Sequence, residues 1–206
     1  MAGRVENLLL DIGNVLVDVE AGRGVAALRA LPGGDAAKLG GWVFDDPDKD
    51  AFEAGDLSPR EFFERFRAKS GLEVTFDLFA EIYSDIWRAK REVLDYLRAL
   101  KRARSLRVYL LSNTDPLHVP RVFERCPELD FHDGWVASYQ IRARKPAPEF
   151  YARALARVGA APEACVFVDD LAENVTGARA AGLDAVQFTG LDALRRELEA
   201  RLGRGE

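Results

Sequence analysis

The chain has 206 residues, of which 48% are hydrophobic and 31% are charged, and its formal net charge is -5. These proportions are ordinary for a soluble globular protein and exclude a strongly basic surface for nucleic acid. No stretch approaches the ~18 apolar residues of a membrane span, and the first residues lack the apolar length of a signal peptide. Cys126 and Cys165 lack metal-binding spacing, so we expect reduced thiols in a cytoplasmic protein.

The first predicted element is a buried strand at Leu8–Ile12, within the stretch LLLDIGNVLVD. An apolar run that ends at a turn signal, here Gly13-Asn14, is typical of a strand in a covered sheet. In an open parallel sheet, ligands bind beyond the carboxyl ends of the strands. Asp11 is therefore either a reactive carboxylate at a strand tip or a cap of the following turn.

From Glu20 to Arg91 the pattern is helical and contains no convincing strand. Ser58-Pro59-Arg60-Glu61 is a capping box with proline at the first helical position. The predicted helices are Gly22–Leu31, Asp35–Trp42, one that carries Phe62, Phe63 and Phe66 and ends at Gly71, and Phe76–Trp87, which carries Phe79, Ile82, Tyr83 and Ile86. Aromatic stripes at this spacing more often form a core than a binding site. We expect a small all-helical insertion.

Helices and strands alternate through the rest of the chain, which predicts a parallel sheet covered on both faces. The predicted strands are Val108–Leu111, Gly134–Ser138, Cys165–Val168 and Ala185–Phe188. The predicted helices are Val93–Ala103, Pro116–Arg125, Pro148–Val158, Ala172–Ala181 and Asp192–Leu202. The fold class is therefore α/β, with a three-layer, Rossmann-like parallel sheet in residues 1–18 and 92–206 and the helical insertion in residues 19–91.

Polar residues stand at or near the ends of the predicted strands. They are Asp11, Ser112-Asn113-Thr114, Lys145 and Asp169-Asp170. Taken singly, each has a plain structural explanation, such as a helix cap, a surface lysine or a turn. Taken together, they are the parts of a phosphoryl-transfer site. A carboxylate can act as the nucleophile, hard oxygens hold Mg²⁺, and a hydroxyl and a lysine neutralise the transferring group.

These motifs resemble those of the haloacid dehalogenase (HAD) superfamily, most of whose members are Mg²⁺-dependent phosphatases. Four stretches occur in the family's order, namely LLLDIGNVL, LLSNT, RKPAPEFY and VFVDDLAEN. The helical insertion stands where the family places its type-1 cap. Within the family, the stretches DIGNV and LSNT resemble those of small phosphatases of sugar phosphates, among them the α-D-glucose-1-phosphate phosphatases.

The resemblance implies a role for each residue that handles the phosphoryl group. Asp11 is expected to be the nucleophile that forms an aspartyl-phosphate. Ser112 is expected to donate a hydrogen bond to the phosphoryl group, together with the backbone N–H of Asn113. Lys145 is expected to stabilise the negative charge on Asp11 and on the phosphate.

The resemblance also implies a Mg²⁺ site. Asp170 is expected to be the main ligand of the fourth motif, and Asp169 assists it directly or through water. Asp11 and the backbone carbonyl of Gly13 are expected to complete the set.

One position departs from the family pattern. The residue two beyond the nucleophile is usually a second Asp, which protonates the leaving group and then activates water, but here it is Gly13. A phosphatase can tolerate this loss, which is worth about 10²–10⁴-fold, if its leaving group is acidic, as in a sugar 1-phosphate. His118 is a candidate substitute acid, because an imidazole titrates in the right range, although an ordinary helix-surface histidine is the plainer interpretation.

Two other interpretations of Gly13 remain open. A 2-haloacid dehalogenase expels halide, which needs no proton, but such enzymes work without a metal and tend to have lost the acid pair that Asp169 and Asp170 keep here. A catalytically degenerate protein with a binding or regulatory role would also tolerate the loss. The retained acids favour the phosphatase.

The helical insertion is expected to close over the strand tips, to exclude water and to select a small phosphorylated metabolite, with no nucleic-acid or membrane partner. The connections near Val17–Gly22 and Trp87–Arg91 are the expected hinges. Gly55 suggests a turn that faces the site. Trp42 and Phe44 are candidate pocket residues, although most aromatic residues in so small a unit serve packing.

Overall fold

The computed structural model describes residues 5–33 and 46–203 of the chain. The strands are β1 (Asn7–Leu10), β2 (Val17–Val19), β3 (Trp87–Ala89), β4 (Arg107–Ser112), β5 (Gly134–Ala137), β6 (Cys165–Asp169) and β7 (Asp184–Gln187). The described helices are α1 (Ala21–Arg29), α2 (Pro47–Glu53), α3 (Pro59–Ser70), α4 (Phe76–Ser84), α5 (Arg91–Arg104), α6 (His118–Arg125), α7 (Ser138–Ile141), α8 (Pro148–Val158), α9 (Ala172–Ala180) and α10 (Leu191–Leu202). None of these helices is long and apolar enough to cross a membrane.

Five strands form one parallel sheet in the order β5-β4-β1-β6-β7. β1 is central, and its Leu9 is in register with Tyr109 of β4 and Phe167 of β6. All four residues of β1 are buried, because helices cover both faces of the sheet. The α/β fold class with a Rossmann-like parallel sheet is confirmed.

Successive residues of each strand point to opposite faces, so the sheet supplies two separate cores. Leu8 and Leu10 pack with α5, α6 and α10 on one face. Leu9 packs with α8 and α9 on the other, where Phe150, Tyr151 and Phe167 fill the space. This arrangement gives the three layers that the alternation of elements predicts.

The segment between β2 and β3, residues 20–86, corresponds to the predicted helical insertion and is called the insertion below. Its described helices α1–α4 enclose an aromatic core. The buried rings are Phe52, Phe62, Phe63, Phe66, Phe79 and Tyr83. Phe52 stacks on Phe62 with ring centroids 4.5 Å apart. The aromatic stripes of the sequence are thus packing residues. α3 begins with the predicted capping box, in which Ser58 and Glu61 satisfy each other's backbone N–H groups, and ends at Gly71.

The prediction that no strand lies between Glu20 and Arg91 is wrong. Trp87–Ala89 forms β3, which pairs antiparallel with Val17–Val19 of β2. The predicted helix Phe76–Trp87 accordingly stops at Ser84, although its apolar spacing continues to Ile86. Pairing with a strand distant in sequence outweighs the local helical pattern here, so the two expected hinges are joined as a two-stranded ribbon.

Other differences are local. α6 begins at His118 rather than Pro116, because the Asp115 side chain accepts hydrogen bonds from the backbone N–H groups of Leu117 and His118 and holds a turn before the helix. The helix α2 (Pro47–Glu53) was not predicted, and its N-cap is Asp46. The predicted helix Asp35–Trp42 and the pocket candidates Trp42 and Phe44 lie outside the described residues.

Gly55 forms the expected turn, with φ +79°, but its neighbour is the segment after β5. A Cβ atom at this position would lie 2.4 Å from the carbonyl oxygen of Tyr139. Glycine is required because the insertion approaches α7 so closely. The residue therefore serves the contact between the insertion and the sheet domain, and it is not among the residues that line the cavity described below.

Candidate active site

The carboxyl ends of three adjacent strands carry the polar residues singled out in the sequence. Asp11 directly follows β1, Ser112 ends β4 and Asp169 ends β6. Because these strands are parallel neighbours, their ends meet at one edge of the sheet. All three residues are buried, and Ser112 is only 8% exposed.

The Lys145 ammonium group lies between the ends of these strands and binds two of their carboxylates. Its Nζ atom lies 2.6 Å from Oδ1 of Asp11 and 2.6 Å from Oδ2 of Asp169, and it donates to the carbonyl oxygen of Leu111 at 3.2 Å. The ammonium group is buried at the centre of the cluster. Burial alone disfavours its charged form, but the two carboxylates outweigh that effect and raise the pKa of Lys145.

The backbone of Lys145 is held by a side chain that we expected to contribute only a backbone N–H. The amide of Asn113 accepts from the Lys145 N–H at 2.8 Å and donates to the Lys145 carbonyl oxygen at 2.9 Å. On the other side, α9 packs against the next residue, Pro146, where a Cβ on Gly177 would lie 2.5 Å from the Pro146 carbonyl oxygen. The lysine therefore emerges from a fixed segment.

The two acids of the fourth motif differ in their surroundings. Asp169 is fully buried, and besides Lys145 it accepts from the Leu171 N–H at 3.0 Å and from the Asn174 side-chain amide at 2.9 Å. Asp170 is only partly buried and lines the cavity over the strand ends. Burial and the charge of Asp169 raise the pKa of Asp170, and a hydrogen bond from Asn14 opposes them.

Three carboxylates are close enough to share a cation. Asp11, Asp169 and Asp170 each offer an oxygen, and these atoms lie within 4.8 Å of one another. The pKa of Asp11 is raised to about 7, mainly by burial and also by the charges of Asp169 and Asp170, although Lys145 opposes this rise. Crowded, desolvated carboxylates of this kind fit Mg²⁺, which prefers hard oxygen ligands and would offset their repulsion.

Gly13 stands beside this cluster. Its carbonyl oxygen accepts the N–H of Val15 at 2.7 Å, which leaves a second lone pair for another partner. A Cβ atom at Gly13 would lie 3.4 Å from Val19 Cγ2 and 3.9 Å from Asp11 Oδ2, both ordinary contacts. The position therefore has room for a Cβ atom, and glycine has no side chain that could donate a proton.

His118 is near the cluster but engaged elsewhere. Its Nδ1 lies 2.6 Å from Oδ2 of Asp115, and its Nε2 lies 3.0 Å from the carbonyl oxygen of Tyr83. Both partners are oxygen atoms of the protein, so both ring nitrogens are engaged in these contacts and neither is left for a substrate. The geometry does not support the auxiliary-acid hypothesis. The histidine instead connects α6 to α4 of the insertion.

Asp115, which sequence reasoning did not single out, is the buried partner in this connection. It is 0% exposed and also accepts a hydrogen bond from the Tyr83 hydroxyl at 3.0 Å. Burial disfavours its charge, but the charge of His118 and the surrounding hydrogen bonds outweigh burial and lower the pKa of Asp115. The sequence does contain a signal for it, because an Asp that precedes the start of a helix by two or three residues often accepts hydrogen bonds from the first backbone N–H groups.

A cavity of about 320 Å³ lies between the strand ends and the insertion. Asp11, Gly13, Ser112, Lys145 and Asp170 line its floor. The rest of the described wall comes mainly from α1, α2, α4 and β3 of the opposite side. The predicted site residues are thus brought together beneath the helices, as a substrate site requires.

A sequence profile described as haloacid dehalogenase-like hydrolase matches residues 5–182. The chain belongs to this family. It is therefore a hydrolase, and the resemblance drawn from its four motifs is confirmed.

Two curated relatives match most of the chain. The D-ribitol-5-phosphate phosphatase of Bacteroides thetaiotaomicron is 28% identical over 190 residues, covering 89% of this chain and 91% of its own. A sesquiterpene phosphatase of Aspergillus oryzae is 27% identical over 165 residues, covering 79% of this chain and 83% of its own.

A solved HAD family enzyme of Bacteroides thetaiotaomicron, in complex with magnesium and inorganic phosphate, has the same fold. It superposes with a TM-score of 0.77 at 23% identity, covering 89% of this chain and 93% of the other.

Proposed function

We propose that this protein is a Mg²⁺-dependent phosphomonoesterase that works through a phosphorylated Asp11. The observation that carries the proposal is the buried ion pair of Asp11 with Lys145, which lies beside Asp170 on the floor of the cavity. The names of the two relatives support the reaction class, since both are phosphatases.

The proposed reaction has two displacement steps. A carboxylate oxygen of Asp11 attacks phosphorus while the bond to the alcohol oxygen breaks, and water then hydrolyses the acyl phosphate to free phosphate and the carboxylate. Lys145 orients Asp11 and neutralises charge on the phosphoryl oxygens, and Ser112 donates its hydroxyl to one of them. When bound, Mg²⁺ supplies positive charge for the nucleophile and the phosphoryl group, and Asp11, Asp170, Asp169 and the Gly13 carbonyl would hold it.

The departing alcohol oxygen needs a proton, and Gly13 has none to give. We propose that this proton comes from water, so substrates with acidic hydroxyl groups react faster than simple alkyl esters. A sugar 1-phosphate is one such substrate. We also propose that residues 19–91 act as the cap over a core of residues 1–18 and 92–206.

The test is phosphate release from a panel of aryl phosphates, sugar phosphates and nucleotides, with Mg²⁺ and after chelation. We expect release that depends on Mg²⁺ and is lost in Asp11→Asn, whereas Asp77→Asn, at an exposed acid of α4, behaves as the wild type. Acid quenching with labelled phosphate ester should leave label on the peptide that contains Asp11. Phosphate release that persists in Asp11→Asn would overturn the mechanism.

A metal-independent 2-haloacid dehalogenase is the second candidate, and Gly13 is the observation that favours it, because halide leaves without a proton. The three clustered carboxylates favour the phosphatase, since a dehalogenase has no use for a cation among them. Halide release from 2-haloacids in the presence of a chelator, without any phosphatase activity, would decide for the dehalogenase.

A further inference from the structure

The cavity above Asp11 has an apolar wall on the side of the insertion. Val25 and Leu28 of α1, together with Ile86 after α4, contribute to this wall, and Val19 extends it toward the strand ends. The names of the two relatives do not select a substrate, because D-ribitol 5-phosphate is a polyol ester and a sesquiterpene is a hydrocarbon. The lining of the cavity is therefore the feature that bears on specificity.

Two residues of this wall lie outside the three hydrophobic clusters described above. Val25 is 7% exposed and Ile86 is 5% exposed. Within the described part of the chain, neither belongs to the clusters on the two faces of the sheet or to the aromatic core of the insertion. Both line the cavity, so the small apolar surface that they leave exposed is available to a ligand.

The charged residues of the cavity wall are paired with one another. Glu53 of α2 binds Lys49 through one carboxylate oxygen and Arg144 through the other, the second contact at 2.8 Å. Arg144 also contacts Asp50 at 2.7 Å. Each of these charges has an opposite partner within the protein, and only the Nε atom of Arg144 is left without a hydrogen bond among the three side chains Lys49, Glu53 and Arg144.

An apolar side chain also stands on the sheet side of the cavity. Leu171, directly after Asp170, is 49% exposed and lines the same space. Among the described residues, only it and Leu78 are large hydrophobic residues with such exposure. Leu171 therefore adds apolar surface on the sheet side of the cavity, opposite the wall that the insertion forms.

We propose that the substrate is the phosphate monoester of an apolar alcohol with an acidic hydroxyl, such as an alkyl-substituted phenol. Its phosphate sits among Asp11, Ser112 and Lys145, and its hydrocarbon body lies against Val25 and Ile86. This inference rests on the proposed phosphatase function and names the substrate class for it. A polyol would bury hydroxyl groups against Val25 and Ile86 without partners, each costing roughly tenfold in affinity.

A series of 4-alkylphenyl phosphates, from methyl to pentyl, tests the proposal. The alkyl chain barely changes the acidity of the phenol, so the series varies apolar area alone. We expect kcat/KM to rise about fourfold per added methylene until the cavity is full. Glucose 1-phosphate, whose leaving group is polar but also activated, is the matched comparison and should react more slowly than the pentyl ester.

Val25→Thr replaces a methyl group of the wall by a hydroxyl of nearly the same size. It should lower the preference for pentyl over methyl roughly tenfold, with little change for the methyl ester. Leu78→Thr, on the outer side of α4, is the control and should leave the series unchanged. If Val25→Thr does not fold, Leu171→Thr tests the same surface at an exposed position.

Binding of alkylphosphonates, which cannot be hydrolysed, gives a readout that does not need turnover. Their affinity, measured calorimetrically with Mg²⁺ present, should increase with chain length and show a negative heat-capacity change. The proposed substrate class would be overturned if kcat/KM did not change along the phosphate series, affinity did not change along the phosphonate series, and glucose 1-phosphate reacted faster than the pentyl ester. The proposed phosphatase function would still stand. No phosphate release from any ester would overturn the proposed function, and the phosphonate affinities would still decide the apolar site.

Discussion

Asn113 and Lys145 form a reciprocal pair, in which one side-chain amide binds both the N–H and the carbonyl group of the lysine backbone. The pair joins the loop after β4 to the loop before α8. It fixes the point from which the lysine side chain reaches Asp11 and Asp169. The pair therefore restricts where the ammonium group of the flexible Lys145 side chain can lie.

Replacing Asn113 by Ala should lower kcat roughly 10–100-fold, because Lys145 loses its fixed origin and small misplacements are costly in catalysis. Thermal unfolding should shift by only a few degrees, since two partly exposed hydrogen bonds are lost. Asn113→Asp keeps the acceptor for the Lys145 N–H and should retain more activity than Asn113→Ala. An unchanged kcat in Asn113→Ala would mean that the pair does not position the lysine.

Replacing Lys145 by Met should abolish phosphatase activity and reduce the free energy of unfolding by about 3–5 kcal/mol, because two buried carboxylates lose their shared cation. Urea unfolding with a chelator present measures this cost. Lys69→Met is the control, since Lys69 is 39% exposed and its contacts with Asp46 and Asp48 should contribute about 1 kcal/mol or less. Equal losses in the two variants would contradict the central role of Lys145.

Gly13→Asp should restore an acid at a position where a Cβ atom makes only ordinary contacts. We expect turnover of simple alkyl phosphates to rise at least about tenfold, while turnover of a nitrophenyl phosphate changes little, because only poor leaving groups need the proton. Gly13→Ala adds the Cβ atom without the acid and should show no such selectivity. If Gly13→Asp leaves the alkyl-to-aryl ratio unchanged, the missing acid does not limit the reaction.

Asp115→Asn should destabilise the protein by about 3 kcal/mol at pH 6, because it removes the buried carboxylate that binds both His118 and the Tyr83 hydroxyl. The pKa of Asp115 is lower in the folded protein than the ordinary value of 3.8, so its contribution to stability is present above pH 3.8 and is lost as the pH falls below that value. Urea unfolding between pH 2.5 and 6 should show the two proteins converging at the acidic end. Asp77→Asn, at an exposed acid, should follow the wild type throughout.

The sequence predicts the sheet and its polar edge well, for reasons that particular residues make plain. Leu8–Leu10 are apolar without interruption because both faces of β1 are covered, and Asp11 ends that run where the chain leaves the sheet. The alternation of elements then places Ser112 and Asp169 at the same edge. These are local signals whose meaning does not depend on distant contacts.

The parts that sequence reasoning missed depend on contacts between distant segments. The spacing through Ile86 predicts a longer α4, but pairing of β3 with β2 ends the helix. The resemblance assigns Asn113 a backbone role, whereas its side chain binds a residue 32 positions away. His118 has suitable chemistry for an acid, but Asp115 and the Tyr83 carbonyl occupy its nitrogens.

Arg144 and Lys145 are consecutive residues with different duties. The first contacts Asp50 and Glu53 of α2, and the second holds Asp11 and Asp169. Replacing the insertion by that of a relative would therefore also disturb Lys145, because the neighbouring residue Arg144 contacts the insertion. A transplant that keeps acids facing Arg144 should preserve the rate, whereas one that lacks them should slow the chemistry as well as change the specificity.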